Sequence, residues 1–149
     1  MTDNTQTLQN LIERMTAAGC PDAETWAASE IDEDIPQFAR YLILKQLTDI
    51  ANNVPTAVDI AAAEDWGEGF TEKHAVLSAQ IGAEALADYL RLYGRGIISQ
   101  IIDLLDEGNP DYDRDGVNWI LVESDEYGEQ RGRNIQGLHE SLPEFWEDP

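Results

Sequence analysis

The sequence predicts a mostly α fold, in which five to six helices pack around a long central helix at about residues 81–107 and a C-terminal β-hairpin follows at about residues 118–136. Two observations support this prediction. Apolar residues recur every three or four positions over the first range, as they do on one side of a helix. After Pro110 the period changes, and the β-forming run Trp119–Val122 precedes Asp125–Gly128, an acid-first, glycine-last sequence suited to a hairpin turn.

Start and stop signals place shorter helices ahead of the central one, beginning near residues 3, 21, 36, 56 and 71. Gly19 stops the first helix, and a proline opens the second and the third. The second helix is expected to end near Ala28, which makes the acidic run Glu30–Asp34 a loop. The alanine-rich fourth helix should end near Trp66–Gly67, and Gly82 offers a break between the fifth helix and the central one.

The central helix has a broad apolar face, which predicts burial. Its apolar stripe consists of Leu86, Leu90, Tyr93, Ile97, Ile101 and Leu105, and it is widened by Tyr89, Ile98, Ile102 and Leu104. Gly94 and Gly96 interrupt the helix, and they predict either a bend or the close approach of a neighbouring helix.

The hairpin is predicted to pack on the helices, because a lone hairpin is only marginally stable in water. In the simplest register Glu123 faces Arg131 and Trp119 faces Ile135, so a charge pair and an apolar pair fall on one face. Residues 141–146 can form one last helical turn.

Length and composition indicate a single domain at residues 1–149, with a helical part at 1–108 and the hairpin and tail at 109–149. Thirty acidic residues against nine basic ones give a net charge of −21. Nucleic acid and anionic membranes are not expected as partners, because both are polyanions, and a basic protein partner is expected instead. The sequence has no signal-peptide pattern and no apolar run near the about 20 residues of a membrane helix, so a cytoplasmic location is expected.

The acidic residues are concentrated toward the carboxyl end. Residues 101–149 hold fourteen acids and three bases, and so carry −11 of the net charge of −21. Adaptation to high salt would also explain an acid-rich, lysine-poor chain, but it predicts a surface that is acidic all round. The concentration therefore favours a localised anionic patch.

The segment Asp111–Gly116 reproduces the first half of a calcium loop, with alternating carboxylates and a glycine where such a loop turns sharply. The second half departs from the pattern, because Val122 occupies the twelfth position, where a bidentate acid is needed, and Asn118 occupies the eighth. Pro110 also disfavours a helix that runs into the loop. A calcium-binding module that uses the 111–116 loop is therefore an alternative to a solvated acidic turn.

Apart from the 111–116 segment, no motif points to catalysis, to a cofactor or to a metal site. His74 and His139 lack the spacing of a zinc-binding helix, and the single Cys20 has no second cysteine to pair with. The sequence contains no glycine-flanked nucleophilic serine and no phosphate-binding loop. We therefore predict that the protein is not an enzyme. A soluble housekeeping protein or enzyme with an acid-rich surface is a further alternative.

Acidic residues mixed with aromatic ones provide the candidate binding surface. Tyrosine and tryptophan often anchor protein interfaces, and carboxylates speed association with a basic partner. The predicted partner-binding residues lie in turns, where both tyrosines are expected to be exposed: Asp111, Tyr112, Asp113, Asp115, Glu123, Asp125, Glu126 and Tyr127.

In size, charge and lack of a catalytic motif, the chain resembles the acidic immunity proteins that bacteria use against nuclease toxins, and also DNA-mimic inhibitors. The resemblance is one of composition and rests on no shared motif. It implies a bacterial inhibitor that neutralises a basic partner such as a nuclease toxin, with DNA mimicry as one way of doing so.

Overall fold

The structure, a computed structural model, describes residues 2–64 and 69–146, with the backbone alone described at residues 2–5, 112, 115 and 131. Over these residues the chain is mostly α-helical, as predicted, with a two-stranded sheet near the carboxyl end. The elements in order are α1 Thr2–Ala17, α2 Ala23–Glu33, α3 Gln37–Asn52, α4 Val54–Ala63, α5 Phe70–Ile81, α6 Ala83–Glu107, α7 Tyr112–Asp115, β1 Leu121–Ser124, β2 Gln130–Ile135 and α8 Leu138–Trp146.

The chain divides into two compact units. The terminal unit comprises Met1–Lys45 and Ile102–Pro149, and the middle unit comprises Gln46–Ile101. The chain passes from one unit to the other within α3 and again within α6. The single domain predicted for residues 1–149 stays a prediction.

The terminal unit has a packed apolar core. Its buried residues include Leu11 and Met15 of α1, Ala23 and Ala27 of α2, and Tyr41 of α3. The rings of Trp26 and Phe145 close the cluster: their centroids lie 5.8 and 5.6 Å from that of Tyr41, and 6.3 Å from each other. Phe145 of α8 therefore covers the edge of this core.

Cys20 belongs to the same core. The residue before it, Gly19, has φ +90°, a conformation that favours glycine, and it ends α1 as predicted. Burial raises the pKa of the Cys20 thiol, which keeps the sulfur protonated and unreactive at neutral pH. The cysteine is a core residue here.

The acidic run after Ala28 is not the predicted loop. Residues 30–33 form the last turn of α2, and Asp34 caps the helix in the left-handed conformation with φ +55°. The prediction was wrong because Glu30 has hydrogen-bond partners on distant elements, and a local sequence pattern does not reveal such partners.

Helix α4 begins at Val54, where the Asn53 side chain accepts a hydrogen bond from Thr56 N. The predicted end of this helix at residues 66–67 lies outside the described residues.

The long helix α6 has 25 residues and begins after Gly82, where φ is +91° and the chain breaks from α5. Gly94 allows a close approach: a Cβ atom there would lie 3.3 Å from the carbonyl oxygen of Ala51 in α3. The predicted burial of the stripe is only partly right. Leu86, Ile98 and Ile102 are buried, but most of the others are exposed: Tyr89, Tyr93, Ile97, Ile101 and Leu104.

The hairpin forms, and its predicted register is confirmed near the turn, where Ser124 pairs with Gln130. Farther from the turn the prediction was wrong, because Ile135 pairs with Leu121 instead of Trp119. An irregularity between these pairs adds two residues to β2, and Gly132 within it has φ +91°. Trp119 precedes β1, and its indole Nε1 donates a hydrogen bond to Leu104 O at 3.0 Å.

Candidate functional site

The turn of the hairpin, residues 125–129, is called the acidic tip below. Asp125 holds its shape, because its Oδ1 accepts hydrogen bonds from the backbone N–H groups of Tyr127, at 2.9 Å, and Glu129, at 3.0 Å. Gly128 adopts the predicted left-handed conformation, with φ +81°. As a result Tyr127 is 83% exposed, which confirms the expectation for this ring, and it lies beside the exposed carboxylate of Glu126.

The other predicted acidic stretch, around Asp111, forms the single-turn helix α7. Asn109 accepts a hydrogen bond from Asp111 N at 3.0 Å, and the Asp111 carboxylate pairs with Arg114 at 3.0 Å. Asp113 is exposed. The side chains of Tyr112 and Asp115 lie outside the described residues. This surface and the acidic tip therefore belong to different elements, α7 and the β1–β2 turn.

Glu123 is placed differently from the other predicted partner-binding residues, because its carboxylate forms an ion-pair cluster with Glu30 and Arg133. Glu123 accepts from Arg133 Nε at 2.6 Å and from a terminal guanidinium nitrogen at 3.0 Å. The same nitrogen donates to Glu30 at 2.9 Å. Partial burial alone would lower the pKa of Arg133, but the hydrogen bonds to Glu123 and Glu30 outweigh it and the net direction is upward. The guanidinium therefore remains charged, and Glu123 is committed to an internal partner.

Glu30 links this ion-pair cluster to α3. Its second carboxylate oxygen accepts a hydrogen bond from Phe38 N at 2.7 Å, in the first turn of that helix. A carboxylate at this place satisfies a free N–H group and opposes the positive end of the helix dipole. Beside it lies a cavity of about 500 Å³, lined in part by Arg14, whose guanidinium is 4.9 Å from the ring centroid of Phe38. The ion-pair cluster thus ties α2, α3 and the hairpin together.

A second polar contact joins the end of α6 to the start of α8. The buried carboxylate of Asp106 accepts from His139 N at 2.9 Å and lies 2.8 Å from His139 Nδ1. The hydrogen bond to Asp106 raises the pKa of His139, although desolvation opposes it. The other Asp106 oxygen is buried without a hydrogen-bond partner. The contact caps the amino terminus of α8, and so has a structural role.

The middle unit contains an apolar groove of about 300 Å³ between the end of α3, α4, Phe70 and α6. The large side chains that line it include Ile50, Val58, Leu90, Tyr93 and Ile97. Over the described part of the chain, no charged or amide side chain lines this apolar groove. Such a surface suits shape-based, apolar contact and lacks the polar groups that orient most small substrates.

Within residues 2–64 and 69–146 no helix is both long and apolar enough to span a membrane. The same ranges contain no group of three or more His, Cys, Asp or Glu side chains placed to hold a metal ion. Comparisons of the chain with protein-family models, with curated proteins and with solved structures found no match.

Sequence reasoning missed the ion-pair cluster and the apolar groove. Glu30 and Arg133 are 103 residues apart, and no local pattern marks such a pair. The apolar groove had a partial signal, since its α6 residues belong to the predicted stripe. The signal was read as burial, because periodicity shows that a helix has an apolar face but not whether the rest of the chain covers it.

Proposed function

We propose that this protein binds and neutralises a basic protein, in the manner of an immunity protein that inhibits a nuclease toxin, and that the acidic tip is its main contact. One observation supports this proposal above the others: Tyr127 is 83% exposed on a turn that Asp125 holds in shape. An aromatic ring presented on a preformed turn loses little conformational entropy on binding, which suits an anchor residue. The proposed role is binding without a catalytic step.

The surrounding charge suits a basic partner. Glu126 and Glu129 flank the ring and are exposed, and Asp113 on α7 adds a further exposed carboxylate. Exposed carboxylates raise the association rate with a cationic surface, and this effect decreases with salt over a Debye length of about 8 Å at physiological ionic strength. If the partner is a nuclease, the acidic surface occupies the place of nucleic acid, and DNA should compete with the protein for it.

The partner is identified first. The tagged protein is incubated at low salt with lysate of the source cells, beside an unrelated protein of equal net charge. The proposal expects one basic protein that is enriched only by this chain. If both baits recover the same abundant basic proteins, such as ribosomal proteins, the inhibitor role is wrong.

Kinetics with the captured protein then test the surface. The double change Asp113→Lys/Glu126→Lys should slow association about tenfold or more, whereas Glu13→Lys/Glu24→Lys, which makes the same charge change at exposed positions of α1 and α2, should slow it much less. Tyr127→Ala should mainly raise the dissociation rate, because it removes an anchor and no charge. Equal effects of the two double variants would show that net charge alone controls binding, and would contradict the assignment of the acidic tip.

A further inference from the structure

The middle unit leaves much of its apolar surface in contact with water. Neither α4 nor α5 has a buried residue in the part of the chain that the structure describes. Large apolar side chains are exposed on both, including Ile60, Val76 and Leu77. Exposure of this many large apolar side chains is typical of a binding site.

The apolar groove is the concave part of this surface. Ile50 on the α3 side of the groove is 63% exposed, and Tyr93 on the α6 side is 61% exposed. Both sides of the groove are therefore open to solvent. The close approach of α3 at Gly94 brings Ala51 against α6, and both of these small residues line the groove. An apolar side chain that entered here would meet only apolar neighbours.

We propose that the apolar groove is the docking site for a cationic amphipathic helix of the basic partner, with the apolar face of that helix in the groove and its lysines or arginines attracted by the net negative charge of the middle unit. This inference rests on the proposed function, because it names the structural class of the segment by which the partner is held.

Charge complementarity argues for a cationic occupant. The middle unit has eight acids and three bases, a net charge of −5: Asp49, Asp59, Glu64, Asp65, Glu68, Glu72, Glu84 and Asp88 against Lys73, Arg91 and Arg95. A second copy of this chain would bring together two molecules that each carry −21. Like charge on that scale opposes self-association, whereas a basic helix gains from the same field.

The extent of the surface argues for a helix over a small apolar ligand. Exposed apolar side chains continue beyond the cavity along α6, where Tyr89 stacks on Tyr93 with ring centroids 6.5 Å apart, and Leu92 lies exposed nearby. A ligand enclosed by the cavity would leave these rings uncovered. A helix, which is about 10 Å wide, can fill a groove with one row of side chains and cover its rim with the neighbouring rows.

The test uses a labelled synthetic peptide of about 14 residues, roughly four helical turns, with leucine on one face and lysine on the other. Its binding is followed by fluorescence anisotropy. A peptide with the same composition in scrambled order keeps the charge and loses the apolar face, and a third peptide carries glutamate in place of lysine. The proposal expects saturable binding of the first peptide, with the scrambled one at least about tenfold weaker and the glutamate one not bound.

Two protein variants locate the site. Ile97→Asp should weaken the binding of the first peptide about tenfold or more, although it adds a negative charge that would strengthen a purely electrostatic contact. Val117→Asp makes the same change at an exposed apolar residue of the terminal unit and should not weaken it. Tyr93→Ala, at a position that is 61% exposed, should also weaken peptide binding, and it covers the case in which Ile97→Asp fails to fold.

Several outcomes would overturn the proposal. Equal binding of the scrambled peptide, or no loss in either groove variant, would leave only non-specific charge attraction. A dimer in sedimentation equilibrium that Ile97→Asp dissociates would make a second copy the occupant. Binding to phosphatidylcholine vesicles that Ile97→Asp abolishes would make a lipid surface the occupant.

If the captured basic partner binds the groove variants normally, the proposed function stands and the docking site is wrong. If the peptide occupies the groove but no basic partner is captured, the proposed function fails by itself.

Discussion

The terminal and middle units differ in how completely they bury their own apolar residues. In the terminal unit, Met15, Leu44 and Leu138 are fully buried, and its polar contacts are internal, as in the ion-pair cluster. In the middle unit, helices α4 and α5 have no buried residue among those described, and a groove between apolar walls stays open. Both units are helical, so helix formation does not distinguish them. This difference indicates that internal contacts stabilise the terminal unit, whereas the middle unit exposes apolar surface that a second molecule can cover.

The largest expected effect is the loss of a core side chain from the terminal unit. Met15→Ala should lower the free energy of unfolding by about 2–5 kcal/mol, because Met15 is fully buried and its removal leaves a cavity. Ile60→Ala in α4 should change it by less than about 0.5 kcal/mol, since Ile60 is exposed. Urea denaturation followed by circular dichroism measures both. Equal losses would remove the distinction between the units.

The next effect separates an internal ion pair from a surface one. Glu30→Gln should destabilise by about 1.5–3 kcal/mol, because Glu30 is only 8% exposed and its carboxylate serves both Arg133 and Phe38 N. Asp88→Asn in the middle unit breaks the exposed pair with Arg91 and should change stability by at most about 1 kcal/mol. A double-mutant cycle with Arg133→Gln isolates the coupling. A coupling energy near zero would show that the ion-pair cluster does not hold the terminal unit together.

A smaller effect depends on pH. The hydrogen bond to Asp106 raises the pKa of His139 in the folded protein. The stabilisation by this contact is therefore fully present below the unfolded-state pKa of about 6.5, and it is lost as the pH rises through the higher folded-state pKa. His139→Gln should therefore narrow the stability difference between mildly acidic and alkaline solution. Glu140 and Asp103 also raise the pKa of His139, but the exposure of the ring keeps the effect modest through solvent screening. His74→Gln in the middle unit is the matched control. An unchanged pH profile in His139→Gln would contradict the assignment.

The smallest expected effect is that of calcium on the 111–116 segment. Millimolar calcium should leave the melting temperature nearly unchanged, because Asp111 is paired with Arg114 and the twelfth position of the loop is Val122. A saturable rise of several degrees that Asp113→Ala removes would instead support the calcium-binding alternative.

The sequence by itself determined the features that depend on short-range physics. Helical periodicity identified the long helix, because it is set by neighbouring residues. Gly82 offered a break before this helix, and Gly94 left a bend or a close approach open, of which the structure has the close approach. The same holds for the acidic tip: an aspartate that accepts from its own turn and a glycine with positive φ are local requirements, so the turn and the exposure of Tyr127 could be predicted.

Features that join distant residues could not be predicted from the sequence, because they depend on tertiary contacts. The irregularity at Gly132 shifted the hairpin register beyond the turn. The contact of Glu30 with Arg133 accompanies the extension of α2 through an acidic run, and Arg133 also pairs with Glu123. The periodicity of α6 also did not show which side of the helix is covered. An apolar stripe establishes that burial would be favourable, but burial itself depends on whether other parts of the chain, or another molecule, are available to cover the stripe.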